Sequence, residues 1–166
     1  MDNFETSLKL LLDILLKKKE TLTQIFNITE NQGTALAAAA DGHKADSEEL
    51  AAIKFLFDGM NDEKQVLIDK VINGDNVFQD IFSRLGAEFE ERAEEQAELI
   101  RLLQSGIKDV MDLDVKIRLQ ERQNQMFISK GGSSGGKLNI PKATKSYMLD
   151  KYKNWAGMNK SNKERK

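Results

Sequence analysis

The first proline of this 166-residue chain is Pro141. Everything before it can propagate helix without meeting a residue that lacks the backbone N–H and clashes with the preceding turn. Apolar side chains in that stretch recur at three- and four-residue steps, the spacing of a helix face. No segment keeps up strand alternation, and the turn signals that a sandwich or barrel needs every few residues are missing. These features predict an all-α protein. The expected architecture is an elongated helical bundle, or antiparallel coiled coil, of three long helices, four if the third divides, with a basic C-terminal tail.

The first helix is expected from residue 3 to about residue 40, on the stripe Phe4, Leu8, Leu11, Leu12, Leu15, Leu22, Ile25, Phe26 and Leu36. Asp41-Gly42-His43-Lys44 reads as a loop. Asp46 can cap the second helix, with Glu49 in capping-box position. Leu50, Ile53, Phe57, Met60, Leu67 and Val71 then follow one seam, with Lys64 as the polar exception. Asn73-Gly74-Asp75-Asn76 has the composition of a turn. A third helix is expected from about Val77 to Ile128. Its span of about 75 Å exceeds the first two, so it must project, bend near Gly86 or Gly106, or divide. Residues 88–98, with six glutamates, read as a solvated face.

Composition narrows the chemistry. There is no cysteine, which excludes disulfides, thiolate nucleophiles and Cys-based metal sites. The single histidine, His43, has no Glu-x-x-His partner and no nucleophile at motif spacing. The glycines of 131–136 lack the Gly-Lys-Ser/Thr ending of a phosphate loop. No catalytic constellation, cofactor motif or metal-ligand set emerges, and a non-enzymatic protein is expected.

The net charge of −2 hides a split. Residues 129–166 hold ten basic and two acidic side chains, while residues 1–128 carry −10. The expected organisation is a helical domain over 1–130, then a Gly/Ser linker and basic tail over 131–166. In helical register the tail would place Met148, Tyr152 and Trp155 on one face. Cations interleaved with aromatics can bind RNA, but the tail carries no RNA-binding signature and the acidic body would repel a polyanion. A protein partner is the better reading, since Tyr and Trp are common interface anchors. No run approaches the roughly 20 apolar residues of a membrane span, and no secretory signal is visible. A cytoplasmic location without membrane insertion is expected.

Several segments together resemble a known family. They are the run from Leu10 through Leu22, the Glu-Lys-x-x-Leu-Ile pattern in Met60-Asn61-Asp62-Glu63-Lys64-Gln65-Val66-Leu67-Ile68-Asp69-Lys70, the Gly74-Asp75-Asn76-Val77-Phe78 segment, and Lys145-Ser146-Tyr147 with Tyr152 in a basic tail. In this order they resemble the flagellar type III export chaperones of the FlgN and FliT kind, over about residues 5–155. The resemblance implies a small helical protein that binds the helical ends of hook-associated or filament-cap proteins. It would keep them unassembled and deliver them to the export gate.

A chaperone of that kind needs an apolar strip that its own core leaves uncovered. The second half of the long third helix is the expected place, through Ile107, Val110, Met111, Ile117, Met126 and Phe127. The tail face of Met148, Tyr152 and Trp155 would be a second contact. The same stripe could pair two copies in a homodimer. The competing reading makes these residues the end of the core or a coiled-coil seam, in a structural adaptor with no export role.

Overall fold

The computed structural model describes residues 3–41 and 47–131, and every one of them is helical. The elements are α1 (Asn3–Asp41), α2 (Ser47–Arg92), one turn of 3₁₀ helix (Ala93–Gln96) and α3 (Ala97–Gly131). The protein is all-α. The His43 loop, the Asp46 cap, the glycines after Gly131 and the tail face lie outside the described residues.

α1 runs where its apolar stripe predicted. On its exposed side Lys9–Glu5 (2.8 Å) and Lys17–Asp13 (3.0 Å) pair one turn apart, each contributing a few tenths of a kcal/mol. The expected turn at Asn73-Gly74-Asp75-Asn76 does not form, and α2 continues straight through it. The reason is tertiary. Asp75 is buried and accepts a hydrogen bond from the equally buried Lys18 at 2.8 Å, and Gly74 lies beside Ile14. The helical break comes later, at Gly86, one of the two sites expected. Its φ of 44° and ψ of −127° are open to glycine and rarely to L side chains. Gly106, the other candidate, stays helical, and a Cβ there would sit 3.4 Å from Leu15.

The helices contribute to two compact units. The first takes residues 3–20, 71–92 and 93–112. Apart from the buried Lys18–Asp75 pair its interior is apolar: Phe4, Leu8, Leu11 and Leu15 from α1, Val71, Phe78, Leu85 and Phe89 from α2, and Ile100, Leu103, Ile107 and Val110 from α3. Each such side chain contributes about 1.5–3 kcal/mol by leaving water. At its edge Arg92 stacks 4.9 Å above the Phe4 ring and bridges Glu88 and Glu95. The segment read as a solvated face therefore has an anchored side, with Phe89 buried within it.

The second unit takes residues 21–41, 47–70 and 113–131. Leu22, Ile25, Leu36, Phe57, Leu67, Ile68 and Ile117 are its buried apolar residues. Among them lie Thr29, Gln32, Lys64, Asp114, Glu121 and Asn124, all buried. The two interiors therefore differ in kind. One is apolar but for a single buried ion pair, and the other is half polar.

Candidate functional site

The residues expected to bind a partner separate into four groups. Ile107, Val110 and Ile117 are 2%, 2% and 0% exposed. They are core, and the expectation of an uncovered stripe through them is corrected. That expectation rested on a third helix beginning near Val77. Because α2 runs on to Arg92 and α3 begins at Ala97, α3 has 35 residues beside 39 in α1 and 46 in α2. Met111 is half-buried. Met126 and Phe127 are exposed, at 51% and 45%. Met148, Tyr152 and Trp155 lie outside the described residues.

The apolar surface of the second unit lies elsewhere than expected. On α3, Val115, Leu119 and Met126 are each about half exposed. With Arg122 they occupy positions 0, 4, 7 and 11 of one helical stripe. That stripe points away from the core positions Val110, Ile117, Glu121 and Asn124. On α2, Phe55 is 82% exposed and Val66 57%, with Leu56 beside them. Phe55, Gly59, Asp62 and Val66 repeat the same 0, 4, 7, 11 spacing. A Cβ built on Gly59 would meet nothing within 4 Å, so it leaves an open notch in the stripe. In this unit α1 shows no large exposed apolar side chain among the described residues.

Charge distinguishes the two faces. Within the unit, α2 exposes Glu48, Glu49, Asp58, Asp62, Glu63 and Asp69 against Lys54 and Lys70. α3 exposes Lys116, Arg118 and Arg122 and no acid, because both its carboxylates, Asp114 and Glu121, are buried. Faces with one sign in excess favour partners of opposite sign.

Beneath these faces the buried polar groups form a connected set. Lys64 Nζ donates to Gln32 Oε1 at 3.1 Å and to Glu121 Oε1 at 3.2 Å. Gln32 Nε2 donates to Asn61 Oδ1 at 2.6 Å. Asn124 Nδ2 donates to the Thr29 carbonyl at 3.0 Å, and its Oδ1 accepts from Gln120. Gly33 lies against this pair, where a Cβ would come within 2.7 Å of both side chains. Asp114 pairs with Arg118 at 2.9 Å. Glu121 Oε2 has no hydrogen-bond partner among the described residues.

Burial is the main influence on both charges. It lowers the Lys64 pKa from its ordinary 10.5, against the attraction of Glu121. It raises that of Glu121 from 4.5, opposed by Lys64 and assisted by the Asp114 charge. Both groups are pushed toward their neutral forms. The sequence marked Lys64 as out of place on its seam. Glu121 and Asn124 went unnoticed, although the core register Ile107, Val110, Asp114, Ile117, Glu121, Asn124 alternates steps of three and four and points to them.

This arrangement can hold helices together and present two charged apolar faces. Among the described residues no group of His, Asp and Glu side chains is placed to hold a metal ion, and no helix is long and apolar enough to cross a membrane. Comparison with protein-family models, curated proteins and solved structures finds no match.

Proposed function

We propose that the chain is a cytoplasmic export chaperone of the flagellar type III system, a helical bundle related to the FlgN and FliT kind. It binds the helical ends of a hook-associated or filament-cap protein, keeps them unassembled and delivers them to the export apparatus. One observation carries the reading: α3 displays Val115, Leu119 and Met126 at helical spacing, with Phe127 beside them, on the side its core does not use. An amphipathic client helix is recognised by such a stripe through anchors one turn apart, and methionine adapts to more than one anchor shape. The basic side chains on that face favour a client with acidic flanks.

Titration of the purified chain with the terminal helical segments of hook-associated and filament-cap proteins tests this. The expectation is saturable binding that Met126→Asp and Phe127→Asp weaken at least tenfold while the melting temperature stays put. Binding that survives both changes, or no binding by any client, overturns it. The second reading, a coiled-coil adaptor or dimerisation module, draws on the matching stripe of α2. Nucleic acid is the weakest reading, because the body outside the tail carries −10.

A further inference from the structure

The exposed side of α3 in the second unit is laid out in bands. At about 100° per residue, Val115, Leu119 and Met126 fall in one band, directly opposite the core positions Asp114, Ile117, Glu121 and Asn124. Arg118 and Arg122 border that band on one side. Lys116 borders it on the other, with Phe127 next to it, and all four are exposed. Because the apolar band points straight away from the core, it is the crest of a ridge and not the floor of a groove. The sequence carries the charge further. Residues 115–145 hold seven bases and one acid, and that acid, Glu121, is buried and bonded to Lys64.

We propose that this face of α3 lies along the surface of a membrane that contains anionic lipid. A helix with apolar side chains on its crest and cations on both shoulders suits that interface: the crest enters the acyl boundary while the charged heads reach the lipid phosphates. The contact is one of lying on the bilayer, since no helix among the described residues is long and apolar enough to cross it. A nucleic acid would also attract the bases, but sequence-tolerant binding of single strands relies on rings for stacking, and this crest is aliphatic. The outer face of α2, with six exposed acids against two bases, is repelled by the same surface. Acids elsewhere on the body oppose the contact little, because exposed charges beyond about 8 Å are largely screened at physiological salt. The inference does not rest on the export reading, and its test contains no client. If both hold, client and membrane compete for α3.

The chain has no cysteine, so Leu119→Cys and Val66→Cys each accept a single environment-sensitive fluorophore, on the outer faces of α3 and α2. Both positions are more than half exposed, and thermal melts check that each labelled chain folds. The full-length proteins are titrated with vesicles of equimolar phosphatidylcholine and phosphatidylglycerol, with vesicles of phosphatidylcholine alone, and with polyuridylate. The label at residue 119 should brighten, shift to the blue and saturate on the anionic vesicles only, while the label at residue 66 stays unchanged. Adding Arg118→Glu and Arg122→Glu to the chain labelled at 119 should weaken partitioning at least about tenfold without moving the melting temperature. A label at 119 that stays silent on anionic vesicles overturns the proposal, and a response to polyuridylate alone assigns the face to nucleic acid instead. An equal response at residue 66, an equal response to neutral vesicles, or partitioning that ignores both charge reversals overturns it as well.

Discussion

Replacing Lys64 by methionine should unfold the second unit at neutral pH far more readily than replacing Lys64 and Glu121 together. Lys64 is fully buried, and among the described residues its ammonium supplies the only hydrogen bond to the Glu121 carboxylate. Methionine fills similar volume, so little packing is lost. What remains is a buried carboxylate with no partner on either oxygen and the Asp114 charge nearby. Breaking a buried pair in this way costs about 3–5 kcal/mol, whereas exchanging both partners for apolar residues is neutral or stabilising. At roughly 2–4 °C per kcal/mol for a chain of this length, Lys64→Met should melt about 10 °C early. Lys64→Met/Glu121→Leu should melt at or above wild type.

The pH dependence has a definite sign. A carboxyl whose folded pKa is raised binds its proton more tightly when folded, so its burial penalty is full above the folded value and disappears as pH falls to the ordinary 4.5. Lys64 is lowered, so its penalty is full below its folded value and disappears as pH rises to 10.5. In wild type the paired charges are therefore dearest to bury across neutrality. In Lys64→Met only the Glu121 limb remains, and the deficit against wild type should shrink as pH falls from 8 toward 5. Circular dichroism melts of the three proteins across that range decide the matter. A deficit of constant size, or a double variant as unstable as the single one, would refute the reasoning.

Other substitutions follow from the same geometry. Val110→Asp and Ile117→Asp each place a charge in a closed apolar site and should cost about 3 kcal/mol or more, seen as loss of the cooperative helical melt. Gly59→Ala meets open space on an exposed helix and should raise stability by roughly 0.5–1 kcal/mol in a urea titration. Gly33→Ala gains the same propensity but intrudes on Gln120 and on Asn124, whose hydrogen bond to the Thr29 carbonyl ties α3 to α1. Its net effect should be destabilising by about 1 kcal/mol, and a gain equal to that at Gly59 would show that the contact yields without loss.

Local pattern was enough for α1 and for the helical class, and it named Gly86 as one of two sites for the break. It failed at residues 73–76 because turn composition is a local signal and the deciding contact is not. Lys18 reaches Asp75 from 57 residues away and keeps the helix intact. That one error lengthened the third helix on paper and made Ile107, Val110 and Ile117 look uncovered. Met126 and Phe127 survive as surface because they sit off the core register, which the spacing from Ile107 already showed. The polar interior of the second unit showed in the sequence only as the misfit at Lys64, while Glu121 went unnoticed. Their pairing was not legible, since it joins residues 57 apart. The α2 face was hidden for another reason: Phe55, Leu56 and Phe57 are consecutive, and only the packed structure shows that Phe57 alone turns inward.

The claim that partners are met on the outer face of α3, and not on the stripe buried beneath it, can be read from one spectrum. Labelling the methionine methyl groups with carbon-13 places one reporter at Met126 on that face, one at half-buried Met111, and one at Met60 in α2. On titration with the terminal helical segment of a hook-associated protein, the Met126 signal should shift progressively and saturate while that of Met111 stays in place. Saturable binding that moves Met111 and leaves Met126 unchanged would contradict the account.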